Sequence, residues 1–171
     1  MRLSPKLALL SCLLPAAAPE RVSAQYSSFE GGSFERDLGL GGQTVAFTYR
    51  RTEVSRGGLG LDLGVGIFPA ALAARAVLLQ FDAGFAQALA IGPATLVLKA
   101  GVGSLLNLGQ SAQVIPGLQA GVAAIIPLER RCALRLDLTR RQLFPDGESV
   151  ALWSLGVGLT VRSPGRPASG R

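Results

Sequence analysis

Leu59-Gly60-Leu61-Asp62-Leu63-Gly64-Val65-Gly66-Ile67 decides the fold. Its odd-numbered positions carry only Leu, Val and Ile, and its even-numbered positions only Gly and Asp. Successive side chains of an extended chain point to opposite faces, so a strict period of two describes a strand with one apolar face and one small or charged face. A helix would scatter the same residues around its whole circumference.

The rule recurs on both sides of this stretch. Val45, Phe47 and Tyr49 alternate with Thr44, Ala46, Thr48 and Arg50 before it. After it, Val77, Leu79, Phe81, Ala83 and Phe85 alternate with Leu78, Gln80, Asp82 and Gly84, and Leu96, Leu98, Ala100 and Val102 with Val97, Lys99, Gly101 and Gly103. Leu118, Ala120, Val122, Ala124 and Ile126 then face away from Gln119, Gly121, Ala123 and Ile125. Cys132, Leu134, Leu136 and Leu138 oppose Ala133, Arg135, Asp137 and Thr139, and Trp153, Leu155, Val157, Leu159 and Val161 oppose Ser154, Gly156, Gly158 and Thr160.

Each run has roughly the 8 to 11 residues that a tilted strand needs to cross a bilayer. The second faces hold few exposed-type charges and no large side chains to fill a soluble interior, which favours apolar rows facing lipid and glycine-and-charge rows facing a narrow lumen. The competing arrangement is a soluble β-sandwich or lipocalin-like barrel with the apolar rows turned inward. A membrane helix is disfavoured, because the most apolar stretch, residues 70–91, carries Arg75, Gln80 and Asp82.

Closed barrels from single bacterial chains have even strand numbers, so the seven runs ask for an eighth. Phe34, Arg36, Leu38 and Leu40 alternating with Glu35, Asp37 and Gly39 supply it, turned by Gly41-Gly42. The expectation is an all-β, eight-stranded antiparallel up-and-down transmembrane barrel over 34–162, preceded by a flexible segment 25–33 and followed by a disordered tail 163–171. The longer connections are expected at 69–74, 105–114 and 144–149 on the outer side, with inner turns at 53–56, 88–93 and 127–130.

Residues 1–24 read as an export signal: Arg2 and Lys6, then the apolar run 7–18, then Val22-Ser23-Ala24 as a cleavage site. Leu9-Leu10-Ser11-Cys12 offers a competing lipoprotein site, but the apolar run continues past Cys12. Export with the leader removed leaves Cys132 alone, so no intrachain disulfide is expected. Losing Arg2, Lys6, Arg21 and Glu20 with the leader lowers the formal charge from +6 to +4. The pairs Arg50-Arg51, Arg130-Arg131 and Arg140-Arg141 lack interleaved aromatics, so they read as strand-end charges near lipid headgroups, with no nucleic-acid partner expected. Tyr49, Phe68, Phe81, Phe85, Phe144 and Trp153 are the expected interface anchors.

With no histidine in the chain, Ser-His triads and most transition-metal sites are excluded, and no catalytic residue, metal or cofactor is expected. Gly64-Val65-Gly66 and Gly101-Val102-Gly103 precede no helix and so are not phosphate loops. Arg50, Asp62, Asp82, Lys99, Arg135, Asp137 and Arg141 all fall on inward faces, where they are expected to form a structural charge network.

Leu98-Lys99-Ala100-Gly101-Val102-Gly103, Gln119-Ala120-Gly121-Val122, the arginine-rich run 134–141 and Leu155-Gly156-Val157-Gly158-Leu159 together resemble the outer-membrane protein β-barrel domain family over residues 34–162. The resemblance implies a bacterial outer-membrane location, lipid and the barrel-assembly machinery as partners, and a monomer. One departure is that Val161-Arg162 is followed by a polar tail rather than by the terminal aromatic usual in that family. The function expected is non-enzymatic and envelope-stabilising, with a packed polar lumen. A narrow channel or carrier for small or apolar solutes is one alternative, and a soluble ligand-binding barrel in the periplasm or medium is another.

Overall fold

The computed structural model describes residues 24–35, 44–55, 57–69, 71, 77–109 and 112–164. Leu, Val, Ile, Thr and aromatic residues repeating every second position suit a pleated wall, and eight strands form it: β1 (Ala24–Glu35), β2 (Thr44–Val54), β3 (Leu59–Ile67), β4 (Leu78–Ile91), β5 (Ala94–Leu108), β6 (Ala112–Pro127), β7 (Cys132–Leu143) and β8 (Val150–Pro164). Each strand pairs antiparallel with the next, and β1 pairs with β8 to close the barrel. Phe29 lies opposite Tyr49 on one side and Leu159 on the other, so β1 has no free edge along this stretch.

Side-chain direction follows the alternation. Leu61, Leu63, Phe81, Leu136 and Leu138 are exposed on the outer surface, with Phe85 at 75% and Leu155 at 57%. Asp62, at 1%, and Asp137, at 4%, are buried inside. A water-soluble monomer rarely exposes so continuous an apolar surface.

Two-residue and four-residue connections join the strands at the end where β1 begins and β8 finishes. Gly92 takes φ +57° at the first central position of the β4–β5 hairpin, a conformation that glycine adopts without strain. At the opposite end, Pro145–Gly147 form a tight turn between β7 and β8 in which Asp146 and Gly147 take φ +46° and +85°.

Four expectations need correction. The first strand is Ala24–Glu35 rather than 34–40, so 25–33 is wall and not a flexible segment, and Ala24, expected to close the leader, pairs with Val54 and Pro164. Residues 36–43, including the proposed Gly41-Gly42 turn, lie outside the described residues, as do 1–23. The barrel spans 24–164, since β8 continues through Ser163 and Pro164; 165–171 lie outside the described residues. The expected 105–114 loop is mostly strand, because the alternation of Leu106 and Leu108 against Leu105 keeps β5 paired with β6 out to the Leu108–Ala112 pair. Finally, Phe68 shares the inward phase of Gly64 and Gly66, so it is fully buried and is no interface anchor. Phe29 and Phe47 face outward instead.

Candidate functional site

The interior is layered along the barrel axis. At the end holding the chain's first strand residue, Ala24, Tyr26, Val54, Ala86, Ala88, Val97, Ala123, Ile125 and Ala133 pack into one apolar cluster. At the opposite end Ala46, Phe68, Ala71, Leu78, Leu105, Leu143 and Leu152 form a second, with Ile115 and Val150 against it. Several wall strands, β2, β4 and β7 among them, therefore read on their inward faces as apolar or small at the ends and polar or glycine in the middle.

Between the two clusters lies a belt of buried charge. All of the expected residues, Arg50, Asp62, Asp82, Lys99, Arg135, Asp137 and Arg141, are buried there. The structure adds Glu30, which is 6% exposed. Among the described residues, four cations thus face four anions, and the belt they form is neutral. Neutrality matters because an unpaired charge held away from water costs several kcal/mol.

The pairs join into one network. Arg50 is ion-paired with Asp62 through Nη1 and donates from Nη2 to Asp82 at 2.7 Å. Arg141 reaches the same Asp82 carboxylate at 2.8 Å and donates to Ser154 Oγ at 2.8 Å. Lys99 Nζ donates to both oxygens of Asp137, at 2.7 and 2.6 Å. Arg135 stands between these groups: its Nε is 2.8 Å from Glu30 Oε1, its Nη2 is 3.1 Å from Asp137 and 3.7 Å from Asp62, and its Nη1 donates to Thr52 at 3.0 Å. Asp62 also accepts from Thr52 at 2.6 Å, and Asp137 from Thr139 at 2.7 Å.

β7 is the hub of this arrangement. Through Arg135, Asp137 and Arg141 it touches side chains of β1, β2, β3, β4, β5 and β8. Apart from Arg141 with Ser154, which joins neighbouring strands, these contacts reach across the lumen. Their length is accommodated by glycine: a Cβ at Gly64 would come within 3.3 Å of the Arg50 guanidinium, and one at Gly156 within 3.3 Å of a Glu30 carboxylate oxygen.

The void among Glu30, Arg50, Asp137, Arg141 and Ser154 measures about 20 Å³, room for about one water molecule. No hydrated ion fits it.

The arginine pairs divide differently from the expectation. Arg50 and Arg141 point inward while Arg51 and Arg140 are exposed, because neighbours in a strand lie on opposite faces of the wall. Arg51 pairs with Glu53 on the outer surface, and the Arg140 guanidinium lies 5.7 Å from the centre of the Trp153 ring. Only Arg130-Arg131 is a strand-end pair.

Glu30 was missed because β1 lacks an apolar outer row: Gln25, Ser27 and Gly31 share that face with Phe29. The available signal was charge balance, since four inward cations against three anions ask for one more carboxylate. The apolar end layers were also missed, although Leu78, Val97 and Ile125 on otherwise polar faces pointed to them.

No protein-family model matches the chain, and no curated protein matches it. Solved structures do. A de novo designed transmembrane β-barrel is 14% identical, with a TM-score of 0.56, covering 85% of this chain and 99% of that one. Neisserial surface protein A is 13% identical, with a TM-score of 0.53, covering 81% and 95%. Ail of Yersinia pestis, in complex with the heparin analogue sucrose octasulfate, is 13% identical, with a TM-score of 0.50, covering 83% and 100%. At these identities the likeness is one of fold, and the fold is that of small transmembrane barrels.

Proposed function

We propose that this chain is a monomeric, non-enzymatic barrel of the bacterial outer membrane, built by the barrel-assembly machinery, that reinforces the envelope and conducts no solute. The observation carrying this reading is the layered interior, in which a neutral ion-pair belt is closed at both ends by apolar side chains. An ion entering from either side would meet hydrocarbon first and then carboxylates already engaged by guanidinium or ammonium groups. The same engagement argues against catalysis, because each buried carboxylate is held as a counterion and is poorly placed to accept a substrate proton.

Purified protein in a planar bilayer is expected to show no conductance steps above the lipid baseline. Reproducible single-channel steps would overturn the sealed-lumen reading and favour the narrow channel.

Membrane residence has its own test. Leu155 is exposed in the outer apolar row of β8, beside its middle residue Val157. Leu155→Arg is expected to cost about 2–4 kcal/mol for a barrel refolded in lipid, since arginine would face hydrocarbon. On a soluble barrel the same exposed substitution would stay within about 0.5 kcal/mol. Urea titration of the heat-modifiable folded band in lipid vesicles measures the difference.

A further inference from the structure

We propose that the β6–β7 turn and the end of β8 bind the headgroup phosphate of an anionic phospholipid. The inference rests on the membrane reading above and adds a specific ligand to it. Arg130 and Arg131 lie in the turn that follows β6, and Arg162 lies near the end of β8. The Arg162 backbone N–H donates to the Arg131 carbonyl at 2.8 Å, which fixes the two segments side by side. All three arginines line a cleft of about 60 Å³ and are exposed.

Their charge is unspent. Among the described residues none of the three has an ion-pair partner, whereas the exposed Arg51 at the same end of the barrel is paired with Glu53. Glu129 is the one carboxylate lining the cleft, so the site keeps a surplus of positive charge. Three guanidinium groups around a small cleft suit a phosphate, whose oxygens accept their forked N–H pairs.

Position selects the source of that phosphate. Ile126, Leu128 and Val161 are exposed, and each is next in sequence to a residue lining the cleft, so they carry the apolar belt up to its rim. A lipid with its acyl chains along these residues brings its phosphate to the arginines. Inward, Tyr26, Ile125 and Ala133 close the cleft from the lumen, so a ligand cannot pass through. At the opposite end of the barrel the described β7–β8 connection carries Asp146 and Glu148 and no cation.

Native mass spectrometry of the detergent-solubilised barrel, titrated with dioleoyl phosphatidylglycerol or dioleoyl phosphatidylcholine, tests the proposal. Phosphatidylglycerol is expected to bind at least fivefold more tightly, and each arginine replaced by glutamine is expected to weaken it roughly fivefold. The triple variant Arg130→Gln/Arg131→Gln/Arg162→Gln should retain the heat-dependent gel shift of a closed barrel but treat both lipids alike, while Arg51→Gln should leave the preference intact. For the unaltered protein, raising ionic strength should erode the preference, which provides a check independent of any variant. Equal affinity for the two lipids would overturn the proposal, as would a preference unmoved by salt or by the triple change. Displacement of the lipid by millimolar inorganic phosphate would mark a free-anion site and overturn the lipid assignment. A chain that fractionates without membrane removes both readings; a heat-modifiable, membrane-inserted barrel without lipid preference removes only this one.

Discussion

Arg135→Ala is expected to destabilise the barrel by about 3–5 kcal/mol, the largest effect of any single charge removal in the lumen. Arg135 is fully buried and faces Glu30, Asp62, Asp137 and Thr52 together. Its loss leaves four buried anions against three cations, away from bulk water. The urea midpoint of refolded protein in lipid vesicles, followed by the heat-modifiable band, measures the change. Glu30→Gln placed on the Arg135→Ala background restores the balance of charge and is expected to recover at least about 1 kcal/mol, a coupling typical of residues in one ionic network. Strict additivity of the two changes, or a loss below about 0.5 kcal/mol for Arg135→Ala alone, would mean that the belt is solvated and that the lumen is not sealed.

Gly101→Ala is expected to cost about 3 kcal/mol or more, by a different mechanism. Gly101 pairs with Gly84 across β4 and β5, and a Cβ on Gly101 would fall 2.2 Å from the Ala83 carbonyl oxygen and 2.4 Å from the Gly84 Cα. Both obstacles are backbone, so relief requires the two strands to move apart, which a closed wall resists. Gly64→Ala supplies the contrast. Its Cβ would meet the movable end of Arg50 at 3.3 Å, and a cost near 1 kcal/mol is expected. Refolding yield and urea midpoint of the two variants, compared side by side, check the ranking. Equal costs would show that strand separation is not the limiting factor.

The wall was legible wherever one face carried an unbroken apolar row. Leu59 to Ile67 and Trp153 to Val161 announce both the strand and its sidedness, because lipid demands hydrocarbon at every second position and leaves the other positions free for glycine and charge. For the same reason the inward positions of Asp62, Lys99, Arg135 and Asp137 could be read by phase alone. β1 could not be read so, since its outer face is mostly Gln, Ser and Gly, and its place in the wall is secured by hydrogen bonding to two neighbours, a property of closure that no single segment displays. Which charges meet was equally hidden: Arg135 and Glu30, or Arg141 and Asp82, stand far apart in the chain and come together only through the curvature of the wall. Phe68 shows a third limit, for a lone aromatic at the end of a run is assigned to the membrane interface by composition but to the lumen by its phase.

The hub position of β7 has a mechanical meaning. A staved cask of this size could in principle come apart in halves, each retaining its own internal joints, but here one penultimate stave fastens five others across the hollow and one more at its side. Drawing it out would loosen all of those joints in the same act, so neither half has a separate existence and the vessel is whole or it is not a vessel.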